Sequence, residues 1–109
     1  MGKLSLTPEM LTLIAERFKV LSEPARLQIL NCLRKRELTV SGIVEETGLG
    51  QTNVSKHLQL LHSQGFVARR KDGLYVYYAL ANQQVFRLCE IVCDSLGAEL
   101  TARRRLLAS

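Results

Sequence analysis

Leu11, Ile14, Ala15, Phe18 and Leu21 recur three and four residues apart, the spacing of one apolar helix face. Thr7-Pro8-Glu9 just before them supplies a capping hydroxyl, a proline suited to a first helical turn, and an acid at the positive end of the dipole. Ser22-Glu23-Pro24 interrupts the pattern, because the residue before a proline avoids the α region. A second helix follows with Leu27, Ile29, Leu30 and Leu33 apolar and Arg34-Lys35-Arg36 at its negative end. Thr39 can cap a short third helix bearing Val40, Ile43 and Val44, which stops at Gly48. After the turn Gly48-Leu49-Gly50, a fourth helix runs from about 51 to 64 and ends where Gly65 can take a positive φ.

The period then changes. Residues 66–71 and 74–80 are rich in β-branched and aromatic side chains, and Asp72-Gly73 between them predicts a hairpin with a two-residue turn. A last helix, about 82–105, carries Val85, Leu88, Cys89, Val92, Cys93, Leu96 and Leu100 along one stripe. The expected architecture is one domain over residues 1–109, mainly α with a β-hairpin, in the order α-α-α-α-β-β-α. No repeat, linker or low-complexity segment divides it.

Chemistry enters with the third and fourth helices. Joined by a short glycine turn, they suit a helix-turn-helix, whose second helix projects into the major groove of DNA. Val54, Leu58 and Leu61 fall on one side of the fourth helix, and Thr52, Lys56, Gln59 and Ser63 on the other, flanked by Asn53 and Ser55. Short hydrogen-bonding side chains with a single cation suit close approach to base edges. Gln51 stands at the helix start, where backbone N–H groups attract phosphate. A solvated polar face would have the same composition, but Arg69-Arg70-Lys71 at a hairpin tip adds a basic wing for phosphates or the adjacent minor groove.

The stretch LGQTNVSKHLQLLHSQGFVARRKDGLYVYYAL resembles the helix-turn-helix and wing of the ArsR/SmtB family of bacterial transcriptional regulators, and LSEPARLQIL resembles its second helix. The resemblance covers nearly the whole chain. It implies a homodimer joined through the first helix (about 7–21) and the last, a two-fold symmetric DNA operator, and repression relieved by an inducer. It places Gln51, Thr52, Asn53, Ser55, Lys56 and His57 at groove-facing or phosphate-contacting positions, with Arg69, Arg70 and Lys71 in the wing. Gly50 replaces a serine that often caps the reading helix in the family, which removes a side-chain cap.

Net charge refines this picture. Fifteen Lys and Arg against ten Asp and Glu give +5, consistent with a polyanionic partner. The first six residues hold one positive charge and no long apolar core, so they do not read as a signal peptide. No apolar run approaches spanning length, so no membrane partner is expected. Three cysteines without the spacing of a secreted scaffold make a reducing cytoplasm the expected location.

The inducer is less legible. Family members that bind metal through an ELCVC-like motif need two thiolates where this chain has Thr39 and Ser41, poor ligands for soft metals. A second family site uses histidines of the last helix, which here has none. His57 and His62, five residues apart, are badly spaced for joint chelation. There remain Cys89 and Cys93, one helical turn apart, with Cys32 or the partner subunit as a source of a third thiolate. A soft thiophilic ion such as trivalent arsenic, a redox or sulfur reaction at the thiols, and plain packing in the apolar stripe all stay open. No phosphate loop, nucleophile elbow or HExxH pair speaks for an enzyme. The competing readings are a protein-interaction module, which Lys56 and the basic wing argue against, and a constitutive DNA binder without sensing.

Overall fold

The computed structural model describes residues 5–108, which form five helices and one antiparallel hairpin. The elements are α1 (Pro8–Leu21), α2 (Pro24–Cys32), α3 (Val40–Thr47), α4 (Gln51–Ser63), β1 (Val67–Asp72), β2 (Tyr75–Leu80) and α5 (Gln84–Ala108). The order is the one expected, and the ends of the helices show why. The Thr7 hydroxyl accepts from the Met10 N–H at 3.2 Å, and the Thr39 hydroxyl accepts from the Gly42 N–H at 3.2 Å, each satisfying a donor left over by its helix start. Glycines stop α3 and α4: Gly48 at φ 74° and Gly65 at φ 79° adopt a backbone that a Cβ would disfavour. At the end of α4, Gly65 N–H bonds to His62 O and Phe66 N–H to Leu61 O, a Schellman closure.

The core lies where α2, α3 and α4 meet. Ile29, Leu30, Ile43, Val54, Leu58 and Leu61 are fully buried there. Val67 of β1 closes one edge, and Val85 and Phe86 of α5 close another. Beyond Phe86, α5 leaves the core, and Leu88, Val92, Leu96 and Leu100 stay exposed in the single chain.

Three local readings are corrected. The hairpin pairs Asp72 with Tyr75, so Gly73 and Leu74 make the turn rather than Asp72-Gly73. Of the two, Gly73 alone has positive φ, at 61°, which matches a turn with glycine at its first central position. Asp72 is thereby free to act as a strand residue. Arg34-Lys35-Arg36 also lie past the end of α2, because the chain leaves the helix at Leu33 and buries that side chain. Arg34 instead covers the Phe86 ring at 4.9 Å. The last helix begins two residues later than expected, with the Asn82 side-chain oxygen accepting from Gln84 N–H at 2.9 Å.

The wing is stitched to the helical head. Leu38, in the linker before α3, exchanges both backbone hydrogen bonds with Tyr78 of β2, at 2.9 and 2.8 Å. Ala81 N–H bonds to Phe66 O at the hairpin base. Hairpins alone are marginal in water; this one is held at its base and its middle.

Candidate nucleic-acid interface

The turn before α4 is built by one hydroxyl. Thr47 Oγ1 donates to Ile43 O at 2.7 Å and accepts from Leu49 N–H at 3.2 Å, while Gln28 Nε2 donates to Thr47 O at 3.0 Å. With Val54, Leu58 and Leu61 locked in the core, the opposite face of α4 has one orientation available. Gln51, Thr52, Asn53, Lys56, Gln59 and Ser63 are exposed along it, and Ser55 is half-buried at its margin. Gly50 gives α4 no side-chain cap, so its first-turn N–H groups remain directed outward.

His57 departs from that face. Its side chain is 16 % exposed, with Nδ1 3.3 Å from Arg26 Nη1 and Nε2 3.7 Å from a Glu23 oxygen. Both ring nitrogens thus lie beside side chains at the start of α2. The helical wheel carried a hint of this, since His57 neighbours the buried Leu58 and lies one turn from Val54.

The wing divides its three cations. Alternation along β1 sends Arg69 and Lys71 to the face shared with Tyr78 and Val76. Arg70 takes the other face, 4.7 Å over the Tyr77 ring. Its guanidinium donates to both carboxylate oxygens of Glu37 and to Asp72 Oδ2. These hydrogen bonds hold the Glu37 carboxyl below its ordinary range and raise Arg70 further above neutrality. Arg70 is therefore a brace between wing and linker, and its charge is matched within the chain. Sequence reasoning grouped it with its neighbours because Glu37 stands 33 residues away.

The cysteines separate in space. Cys89 and Cys93 border an apolar groove of ≈ 680 Å³ whose walls include Phe18, Leu27, Leu88 and Leu96. They also border a smaller cavity of ≈ 340 Å³ with Phe86 and Arg34. Cys32 opens instead onto a polar groove with Arg36 and Glu46, and its thiol donates to Ile29 O at 3.0 Å. Burial pushes the Cys32 thiol up, so it stays protonated at neutral pH. Cys32 thus opens onto a different groove from the one that the pair borders. Among the described residues, no three His, Cys, Asp or Glu side chains converge as a metal site would require.

The sequence profile of the arsR-family bacterial regulatory proteins matches residues 23–69, from the start of α2 into β1. The transcriptional repressor SmtB homolog of Synechocystis sp. is 35% identical over 94 residues, spanning 82% of this chain and 71% of the relative. The crystal structure of Rv0081 from M. tuberculosis superposes with a TM-score of 0.78 at 33% identity, covering 89% of this chain and 98% of that one. The solution structure of Mb0332 from Mycobacterium bovis, a homodimeric winged helix-turn-helix DNA-binding domain, gives 0.76 at 34% identity, with 91% and 92% covered.

Proposed function

The chain belongs to the ArsR/SmtB family of winged helix-turn-helix transcriptional regulators, and from that premise we propose that it is a homodimeric repressor released from a palindromic operator by an inducer. DNA binding, not catalysis, is the family's work. The observation that carries the finer reading is the polar face from Gln51 to Ser63, held outward by three fully buried side chains. Arg69 and Lys71 flank it as wing cations without an internal ion pair among the described residues. Base edges fall to Gln51, Thr52, Asn53 and Ser55, and phosphates to Lys56, Arg69 and Lys71.

Dimerisation is supported by the apolar faces of α1 and α5. Phe18 is 52% exposed and Val92 51% in the single chain, and a second copy would cover both. The homodimeric Mb0332 domain shares this fold. Two reading helices then have to stand about one DNA turn apart, roughly 34 Å.

The test separates reading from anchoring. Gel-shift titrations at several salt concentrations should show Lys71→Ala weakening all duplexes about equally and flattening the salt slope by about one per site. Gln51→Ala and Thr52→Ala should leave the slope and relax the choice of sequence. If both classes behave alike, the division between helix and wing is wrong.

We place inducer sensing at Cys89 and Cys93. They lie one turn apart beside the faces proposed to pair, so a soft ion or an oxidative bridge there would alter subunit packing. A third thiolate can come from the partner or from a small-molecule thiol. Cys89→Ser and Cys93→Ser should retain operator binding and lose release by arsenite or an oxidant. Normal release in both variants would reduce the pair to interface packing.

A further inference from the structure

Arg26 joins three helices at one point. It is the third residue of α2, and its Nε donates to Val20 O, in the last turn of α1, at 2.6 Å. Carbonyls of a final helical turn lack partners in their own helix, so this bond caps α1 from its neighbour. The Nη2 group lies 3.5 Å from Lys19 O in the same turn. Nη1 donates to Glu23 Oε2 at 2.8 Å and lies 3.3 Å from Nδ1 of His57, in the middle of α4. The Arg26 side chain is 12% exposed, and a planar guanidinium so engaged has little freedom to rotate.

Local sequence explains the placement. Pro24 holds Glu23 extended at ψ 125°, which sets its carboxylate at the start of α2, beside Arg26. Arginine can only donate, so this contact is a hydrogen bond in the tautomer that carries its proton on Nε2, toward Glu23 Oε1.

We propose that Arg26 and His57 form a positioning joint, through which the end of the dimer-facing helix α1 sets the seat of the reading helix α4. The inference rests on the DNA-binding reading above and goes beyond it, because it takes His57 out of the set of DNA contacts. Lys56 adjoins His57 on α4, and Ser55 and Gln59 lie two residues to either side. A shift of the Val20 carbonyl moves the guanidinium, and the ring follows it. The reading face then tilts against the wing while the buried Leu58 acts as pivot.

The experiment uses the full-length dimer and a duplex selected from a random pool by the unaltered protein, with an unselected duplex beside it. His57→Ala should lose about tenfold in affinity for the selected duplex, equivalent to about 1.4 kcal/mol. Binding to the unselected duplex and the salt slope should stay unchanged. His57→Asn, whose Oδ1 can accept in place of Nδ1, should recover most of the loss. In the free protein, ¹⁵N spectra of the imidazole should show Nδ1 unprotonated, and Arg26→Lys should shift that resonance. A slope reduced by about one in His57→Ala would make the ring a phosphate contact and overturn the joint. A protonated Nδ1, or an Nδ1 resonance indifferent to Arg26→Lys, would overturn it as well. If no duplex binds at all, the regulator reading fails, and the ring spectra still decide whether the Arg26–His57 contact exists.

Discussion

Leu96→Glu is expected to leave the helical head folded, convert the proposed dimer to monomers and lower operator affinity at least a hundredfold. Leu96 is 50% exposed in the single chain and lies one turn from both Val92 and Leu100 on the apolar side of α5. Its side chain lines the groove with Phe18 and Leu21 of α1, distant in sequence from the core formed by α2, α3 and α4. A carboxylate there meets no cation in its own groove, and a two-fold axis would bring a second copy of it near the first. Burying an unpaired charge costs several kcal/mol, whereas a hundredfold change in association needs about 2.7 kcal/mol. Linked heads gain about 10²–10⁴ in affinity over separate ones, so loss of pairing should appear directly in DNA binding. Sedimentation equilibrium gives the oligomeric state, circular dichroism the helix content, and a gel shift the affinity. A variant that stays dimeric would move the subunit contact away from this face.

Leu58→Ala should produce the largest loss of stability, about 2–5 kcal/mol. Leu58 is fully enclosed at the junction of α4 with its neighbours. Domains of this kind are stable by about 5–15 kcal/mol in total, so the variant would give up a large share of that margin. Leu60→Ala, two residues along but 37% exposed, should cost less than about 1 kcal/mol. Urea unfolding at one fixed protein concentration compares the two, because coupling to dimerisation makes stability depend on concentration. Equal losses would mean that α4 is not anchored by the side of the helix that carries Leu58.

The helical periods made most of the architecture legible before any coordinates. Thr7, Thr39, Gly48 and Gly65 marked element ends because capping and positive φ are properties of single residues and their immediate neighbours. The face of α4 was readable for the same reason: Val54, Leu58 and Leu61 repeat at helical spacing. What sequence could not supply was pairing across distance. Glu37 with Arg70, and Arg26 with His57, are separated by 33 and 31 residues, and each pairing gives an internal partner to a residue that the basic wing, for Arg70, or the family resemblance, for His57, assigned to DNA. The turn register was missed by one position because Asp-Gly and Gly-Leu both fit a two-residue loop. Only the ladder from Val67–Leu80 to Asp72–Tyr75 decides between them. The apolar stripe of α5 was visible, but its exposure after Phe86 depends on where the other helices stop.

The backbone bonds between Leu38 and Tyr78, together with the Glu37–Arg70 brace beside them, have a mechanical consequence. They clamp the hairpin to the linker that leads into α3, so hairpin and linker travel as one solid jaw. An inducer acting at α5, as proposed, would find no slack inside that jaw to exploit. In the proposed dimer the adjustments left are the seat of α4 and the gauge between two jaws, as in a calliper whose arms keep their shape while the opening changes.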